Sequence, residues 1–104
     1  CMQIGHSDIW YGITKAGLIN ATKSFSKLLG PFHVQVNAVA VSPVETELLE
    51  KIPLDRRQHF LSTTTEKRFA SPVEVARTIA WLTLDAPDYL NGACIDLNSA
   101  SFFR

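Results

Sequence analysis

Tyr11-Gly12-Ile13-Thr14-Lys15 is the stretch on which the reading of this 104-residue chain turns. Residues four apart on an α-helix share a face about one turn from each other, so the spacing projects a phenol and an ammonium into one space. A phenol is a poor base near neutrality, and a close positive charge favours its phenolate, which is what a proton-transferring Tyr requires. Tyr and Lys also fall at this spacing by chance in many chains. The sequence on either side has to decide.

Working outward, Tyr11, Thr14, Lys15, Leu18, Thr22, Phe25 and Leu29 recur at intervals of three and four, which predicts a helix over residues 9–29. Ser7, followed by Asp8, suits the cap at its start. Gly30-Pro31 is a stop, by a left-handed glycine and a missing amide. A second apolar line through Ile13, Ala16 and Ile19 asks for cover on more than one side. Residues 34–41 are rich in Val and Ala with little alternation, as in a parallel strand buried on both faces, with Asn37 as a polar exception.

Lys27-Leu28-Leu29-Gly30-Pro31 leading into Val34-Gln35-Val36-Asn37-Ala38-Val39 places the pair in a longer pattern. From about Tyr11 to Asn98 the chain resembles the C-terminal half of a short-chain dehydrogenase/reductase of the 3-oxoacyl-carrier-protein-reductase-like type. The resemblance implies that Tyr11 is the acid/base. Lys15 then assists the phenolate and holds the ribose hydroxyls of NAD or NADP. It also implies that Val44-Glu45-Thr46 is the triplet at the nicotinamide end, with Val44 meeting the carboxamide through its backbone and the Thr46 hydroxyl reaching the carboxamide or the adjacent phosphate. The family's Pro-Gly before that triplet is replaced by Val41-Ser42, so a turn that glycine makes at no steric cost must be made by Ser42. Thr46 also suits a helix cap ahead of Glu47-Leu48-Leu49.

Residues 48–70 have no clean period and mix Pro53, charges and Ser62-Thr63-Thr64-Thr65, so they read as helical turns within a long excursion. The family closes such a segment over its substrate. Ser71, Pro72 and Glu74 then form a capping box, opening a helix through Leu82 that ends near residues 85–87. Asn91-Gly92-Ala93-Cys94-Ile95-Asp96-Leu97-Asn98 reads as a turn and a short last strand. Ser99-Ala100 stands where the family has a Gly pair. Phe102-Phe103 suits apolar docking, which in the family reaches a neighbouring subunit, as does the outer side of the first helix.

Composition agrees with one folded unit: 46% hydrophobic and 19% charged residues, with ten basic and ten acidic side chains that cancel. A formal charge of zero leaves no electrostatic footprint for nucleic acid or an anionic membrane, and Asp55-Arg56-Arg57 and Glu66-Lys67-Arg68 read as solvated faces. No apolar run approaches the ~20 residues of a membrane span, so a cytoplasmic setting is expected. Cys1, Cys94, His6, His33 and His59 are too scattered for a disulfide framework or a metal site.

The expected fold class is α/β, the C-terminal part of a doubly wound Rossmann-type parallel sheet in the order helix, strand, lid, helix, strand. No Gly-rich phosphate loop precedes Tyr11, the carbonyl-polarising Ser implied by the family would fall before residue 1, and two strands alone make a poor core. The chain is therefore expected to be the C-terminal portion of one domain. The function expected is an NAD(P)-dependent oxidoreductase acting on a small carbonyl/alcohol substrate, in a homo-oligomer of two or four subunits. The alternative is an inactive relative retained for subunit contact or as a scaffold piece, and cofactor binding separates the two.

Overall fold

A computed structural model describes residues 8–103. Helix α1 spans Ile9–Leu29, and its cap is Asp8, whose carboxylate accepts the Tyr11 amide at 3.1 Å. Ser7, proposed for that role from sequence, lies outside the described residues, as do Cys1 and His6. The end of α1 differs from expectation. Gly30 is right-handed, with φ −52°, and continues into a 3₁₀ turn over Gly30–Phe32, while the left-handed residue is His33 at φ 59°. Gly30 serves instead as a point of close approach, since a Cβ there would stand 3.3 Å from the Asn91 side-chain nitrogen.

The strand predicted over residues 34–41 forms only at its end, as β1, Ala38–Val41. The reason is that two side-chain amides take over the pairing before it: Val36 N–H donates to Asn91 Oδ1 at 2.9 Å, and Ala93 N–H to Asn37 Oδ1 at 2.9 Å. Asn37 Nδ2 also donates to the Leu90 carbonyl, at 2.8 Å. Nor is β1 buried on both faces. Its residues are half-buried and Val41 is 45% exposed, because it has one strand neighbour among the described residues and its faces are incompletely covered.

After β1 come the short helices α2, Glu47–Glu50, and α3, Leu54–Thr63, then α4, Pro72–Leu84, and β2, Cys94–Leu97. Helix α4 opens with the predicted capping box: Glu74 N–H donates to Ser71 Oγ at 3.2 Å and Ser71 N–H to Glu74 Oε2 at 2.8 Å. The two strands pair with each other, and the bonds from Ala38 N to Ala93 O, 2.9 Å, and from Ser42 N to Leu97 O, 3.2 Å, advance together as a parallel ladder does. This is the α/β arrangement expected.

The chain divides into two compact units. One runs from Cys1 to Ala38 and includes Pro87–Ile95; the other comprises Val39–Ala86 with Asp96–Arg104. In the first, Ser26 of α1 is buried, and Asn91 donates to its carbonyl at 3.2 Å. Gly92 passes so close that a Cβ would lie 2.7 Å from Ser26 Oγ. In the second, Leu49 is the buried apolar residue among those described, and Thr64 is 2% exposed.

Candidate active site

Within the first unit, α1 places Tyr11 in its opening turn, fixed at the amide by Asp8 and at the carbonyl by Thr14, whose hydroxyl donates to it at 3.0 Å. One turn on, the Lys15 ammonium stands 5.4 Å from the centroid of the Tyr11 ring. That is within cation–π range, so the cation already interacts with the aromatic group whose anion it would stabilise. Tyr11 is 44% exposed and Lys15 is exposed.

The second unit holds Val44 and Thr46. Val44 forms a parallel bridge with Ala70, carried by Glu45 N to Ala70 O at 2.9 Å and Ala70 N to Pro43 O at 3.3 Å. Such a bridge uses the groups flanking Val44 and directs its own N–H and C=O away from Ala70. Thr46 occupies the cap position of α2 but does not cap it; its hydroxyl donates to the Val44 carbonyl at 3.3 Å. The triplet is thus tied together locally, and the two predicted pairs lie in different units.

Ser42 makes its turn without entering the left-handed region. Besides His33 and Lys67, φ 53°, left-handed positions fall at Ser99, φ 49°, and Ala100, φ 54°, where the family pattern has its Gly pair. Glu66-Lys67-Arg68 is more than a solvated face. Arg68 makes a two-pronged bond to Glu74, at 2.8 and 2.6 Å, and Glu66 N–H donates to Ser99 Oγ at 3.0 Å. Hydrogen bonding from Arg68 first, then from the Ser71 backbone, holds the Glu74 carboxyl well below the usual carboxylate range, at about 2. Among the described residues no group of three or more His, Cys, Asp or Glu could hold a metal ion, and no helix is long and apolar enough to cross a membrane.

The family profile described as enoyl-(acyl carrier protein) reductase matches residues 2–99. A short-chain dehydrogenase/reductase structure from Brucella melitensis superposes with a TM-score of 0.86 at 27% identity, covering 96% of this chain and 40% of that one. The chain belongs to the short-chain dehydrogenase/reductase family. Other members are closer in sequence. The 3-oxoacyl-[acyl-carrier-protein] reductase of Aquifex aeolicus is 38% identical over 92 residues, 88% of this chain and 37% of that protein. Its counterpart in Thermotoga maritima is 39% identical over 88 residues, 85% and 36% of the two chains. The chain therefore spans little more than a third of the length of these relatives. As a short-chain dehydrogenase/reductase it is of oxidoreductase stock, with a Rossmann-type α/β fold.

Proposed function

We propose that this chain carries the acid/base part of an NAD(P)-dependent oxidoreductase that interconverts a secondary alcohol and a carbonyl, with a 3-oxoacyl thioester as the substrate class. The observation that carries the reading is the Lys15 ammonium 5.4 Å from the Tyr11 ring on one exposed helix face. The thioester is taken from the named activity of the relatives at 38% and 39% identity.

The residues present suit a nicotinamide dinucleotide. Lys15 has no carboxylate partner among the described residues, which suits its ammonium to ribose hydroxyls, and the Val44 amide offers a donor and the Thr46 hydroxyl, whose proton goes to the Val44 carbonyl, an acceptor to a carboxamide. When bound, the dinucleotide supplies or accepts the hydride. In the reductive direction Tyr11 gives its phenolic proton to the carbonyl oxygen, and Lys15 stabilises the negative charge left on the ring oxygen. In the oxidative direction the phenolate takes the proton back. The remainder of the dinucleotide site, including a Gly-rich phosphate turn, is assigned to a portion of the domain amino-terminal to these residues.

In the full-length protein, Tyr11→Phe is expected to lower turnover by ~10²- to 10⁴-fold, with nucleotide affinity held within a few-fold, because the group moves a proton and does not bind the nucleotide. Lys15→Met is expected to impair both. Steady-state reduction of acetoacetyl-coenzyme A with calorimetric titration of NADPH and NADH measures the two effects. Ordinary activity in Tyr11→Phe would remove Tyr11 from the mechanism, and a full-length protein that binds neither nucleotide would favour the scaffold role.

A further inference from the structure

The excursion carrying α2 and α3 is closed at two places within the second unit. One is the Val44–Ala70 bridge. The other gathers on a single residue, Ser99, in the turn after β2. Thr65 N–H donates to the Ser99 carbonyl at 2.9 Å and Thr65 Oγ1 to the same oxygen at 3.0 Å. The two hydroxyls lie 2.9 Å apart, and Glu66 N–H donates to Ser99 Oγ at 3.0 Å. The residue before this junction, Thr64, is buried, and its hydroxyl donates to the Leu61 carbonyl at 3.1 Å, so the junction is continuous with the last turn of α3.

The backbone at this point is unusual. Ser99 and Ala100 are both left-handed, a conformation glycine adopts freely and other residues adopt at a cost. The turn is closed by its own side chain: Asn98 Nδ2 donates to the Phe102 carbonyl at 2.9 Å, and Ser101 N–H to the Asn98 carbonyl at 3.0 Å. Glycine at position 99 would make the same backbone without strain. It would lack the hydroxyl that meets Thr65 and Glu66. A strained residue held in place by specific side-chain bonds is where a positioning role is to be sought. Ser99 and Glu66 also help line a recess of about 320 Å³ together with Ser42, Arg68, Phe69 and Leu97.

We propose that Ser99 is a positioning residue whose hydroxyl latches the exit of the α2–α3 excursion to the turn after β2, and so sets how that excursion presents itself to substrate. The effect on substrate rests on the acid/base reading of Tyr11 and on the excursion facing the substrate; the latch itself does not. Ser99→Ala keeps the left-handed backbone and the carbonyl contacts while removing the hydroxyl, and Thr65→Val removes the partner hydroxyl.

In full-length protein without nucleotide, Ser99→Ala is expected to speed hydrogen exchange of the Glu66 amide by about tenfold, with a smaller rise through α3, as local opening becomes easier. With acetoacetyl-coenzyme A as probe, KM is expected to rise about fivefold with kcat within about twofold, the scale of one lost hydrogen bond, while NADPH affinity is unchanged. Thr65→Val added to Ser99→Ala is expected to do more than Ser99→Ala alone, since it also removes the Thr65 Oγ1 bond to the Ser99 carbonyl, but less than the sum of the two single variants, because the contact between the two hydroxyls is lost in either one. Unchanged exchange at Glu66 would overturn the latch. Faster exchange with an unchanged KM would overturn the positioning role. The exchange measurement needs no turnover, so it stands or falls separately from the role given to Tyr11.

Discussion

At the scale of single residues, two positions combine backbone conformation with contact in opposite senses. Gly92 has φ 77°, and a Cβ there would meet Ser26 Oγ at 2.7 Å, so both the dihedral and the space demand glycine. Gly92→Ala should destabilise the full-length protein by roughly 2 kcal/mol or more, the left-handed penalty plus displacement of a buried Ser26, as read by urea unfolding. Ala100 is the converse. It holds φ 54° with an exposed side chain, so Ala100→Gly relieves the strain and is opposed by the greater freedom of glycine in the unfolded chain. A net gain of about 0.5 kcal/mol is expected, measured as a rise in the urea midpoint at constant m-value. Both residues lie near a stretch whose sequence was only half informative. Asn91-Gly92 read as a turn, whereas the absent Gly pair hid the fact that Ser99 and Ala100 take up the left-handed conformation.

At the scale of elements, α1 and α4 were legible because their signals are local. The Ser71/Glu74 box caps α4 as read, the cap of α1 is Asp8 where the reading had Ser7, and apolar spacing of three and four supplies the rest. What was not legible depends on partners distant in sequence. The start of β1 is displaced because amides of Asn37 and Asn91, more than fifty residues apart, take the place of ladder bonds, and no period records that. The Val44–Ala70 bridge is one residue long and has no pattern to find. Arg68 and Glu74 were assigned separately, to a solvated run and to a cap, although they form one device. That device has a pH dependence. Glu74 is held at about 2, below its value in an unfolded chain, so its contribution to stability is complete above the ordinary carboxylate range and is lost as pH falls through that range towards 2. Glu74→Gln keeps a bond acceptor for the Ser71 amide and removes the charge. Acid unfolding of the full-length variant should show a shallower loss of stability below pH ~4.5 than the parent, while equal slopes would show that the ion pair is without effect at this exposed site.

At the scale of the molecule, apolar surface outruns apolar core. Leu49 is the buried hydrophobic side chain among the described residues, while Trp10, Phe25, Leu28, Ile79 and Trp81 are each more than two-fifths exposed, and Val41 lies bare on β1. A fold gains its stability from such surface when it is removed from water, at about 25 cal/mol per Å², so these 104 residues by themselves forgo much of the term that must offset chain entropy. The same shortage applies to the cofactor. The pyrophosphate of a dinucleotide is ordinarily held by backbone amides at a Gly-rich turn and a helix start, and the sequence offers no such turn. What the proposed reading offers is Lys15, the Val44 amide and the Thr46 hydroxyl, a few hydrogen bonds of ~0.5 to 1.5 kcal/mol each against an association cost of ~4 kcal/mol or more. The 104-residue chain produced alone should therefore bind NADH and NADPH no more tightly than about millimolar and should self-associate through its exposed strand and helix faces. Calorimetric titration and sedimentation test both statements. Micromolar binding by this chain alone would mean that its own residues hold the dinucleotide, and the pyrophosphate would then have to be placed within residues 1–104.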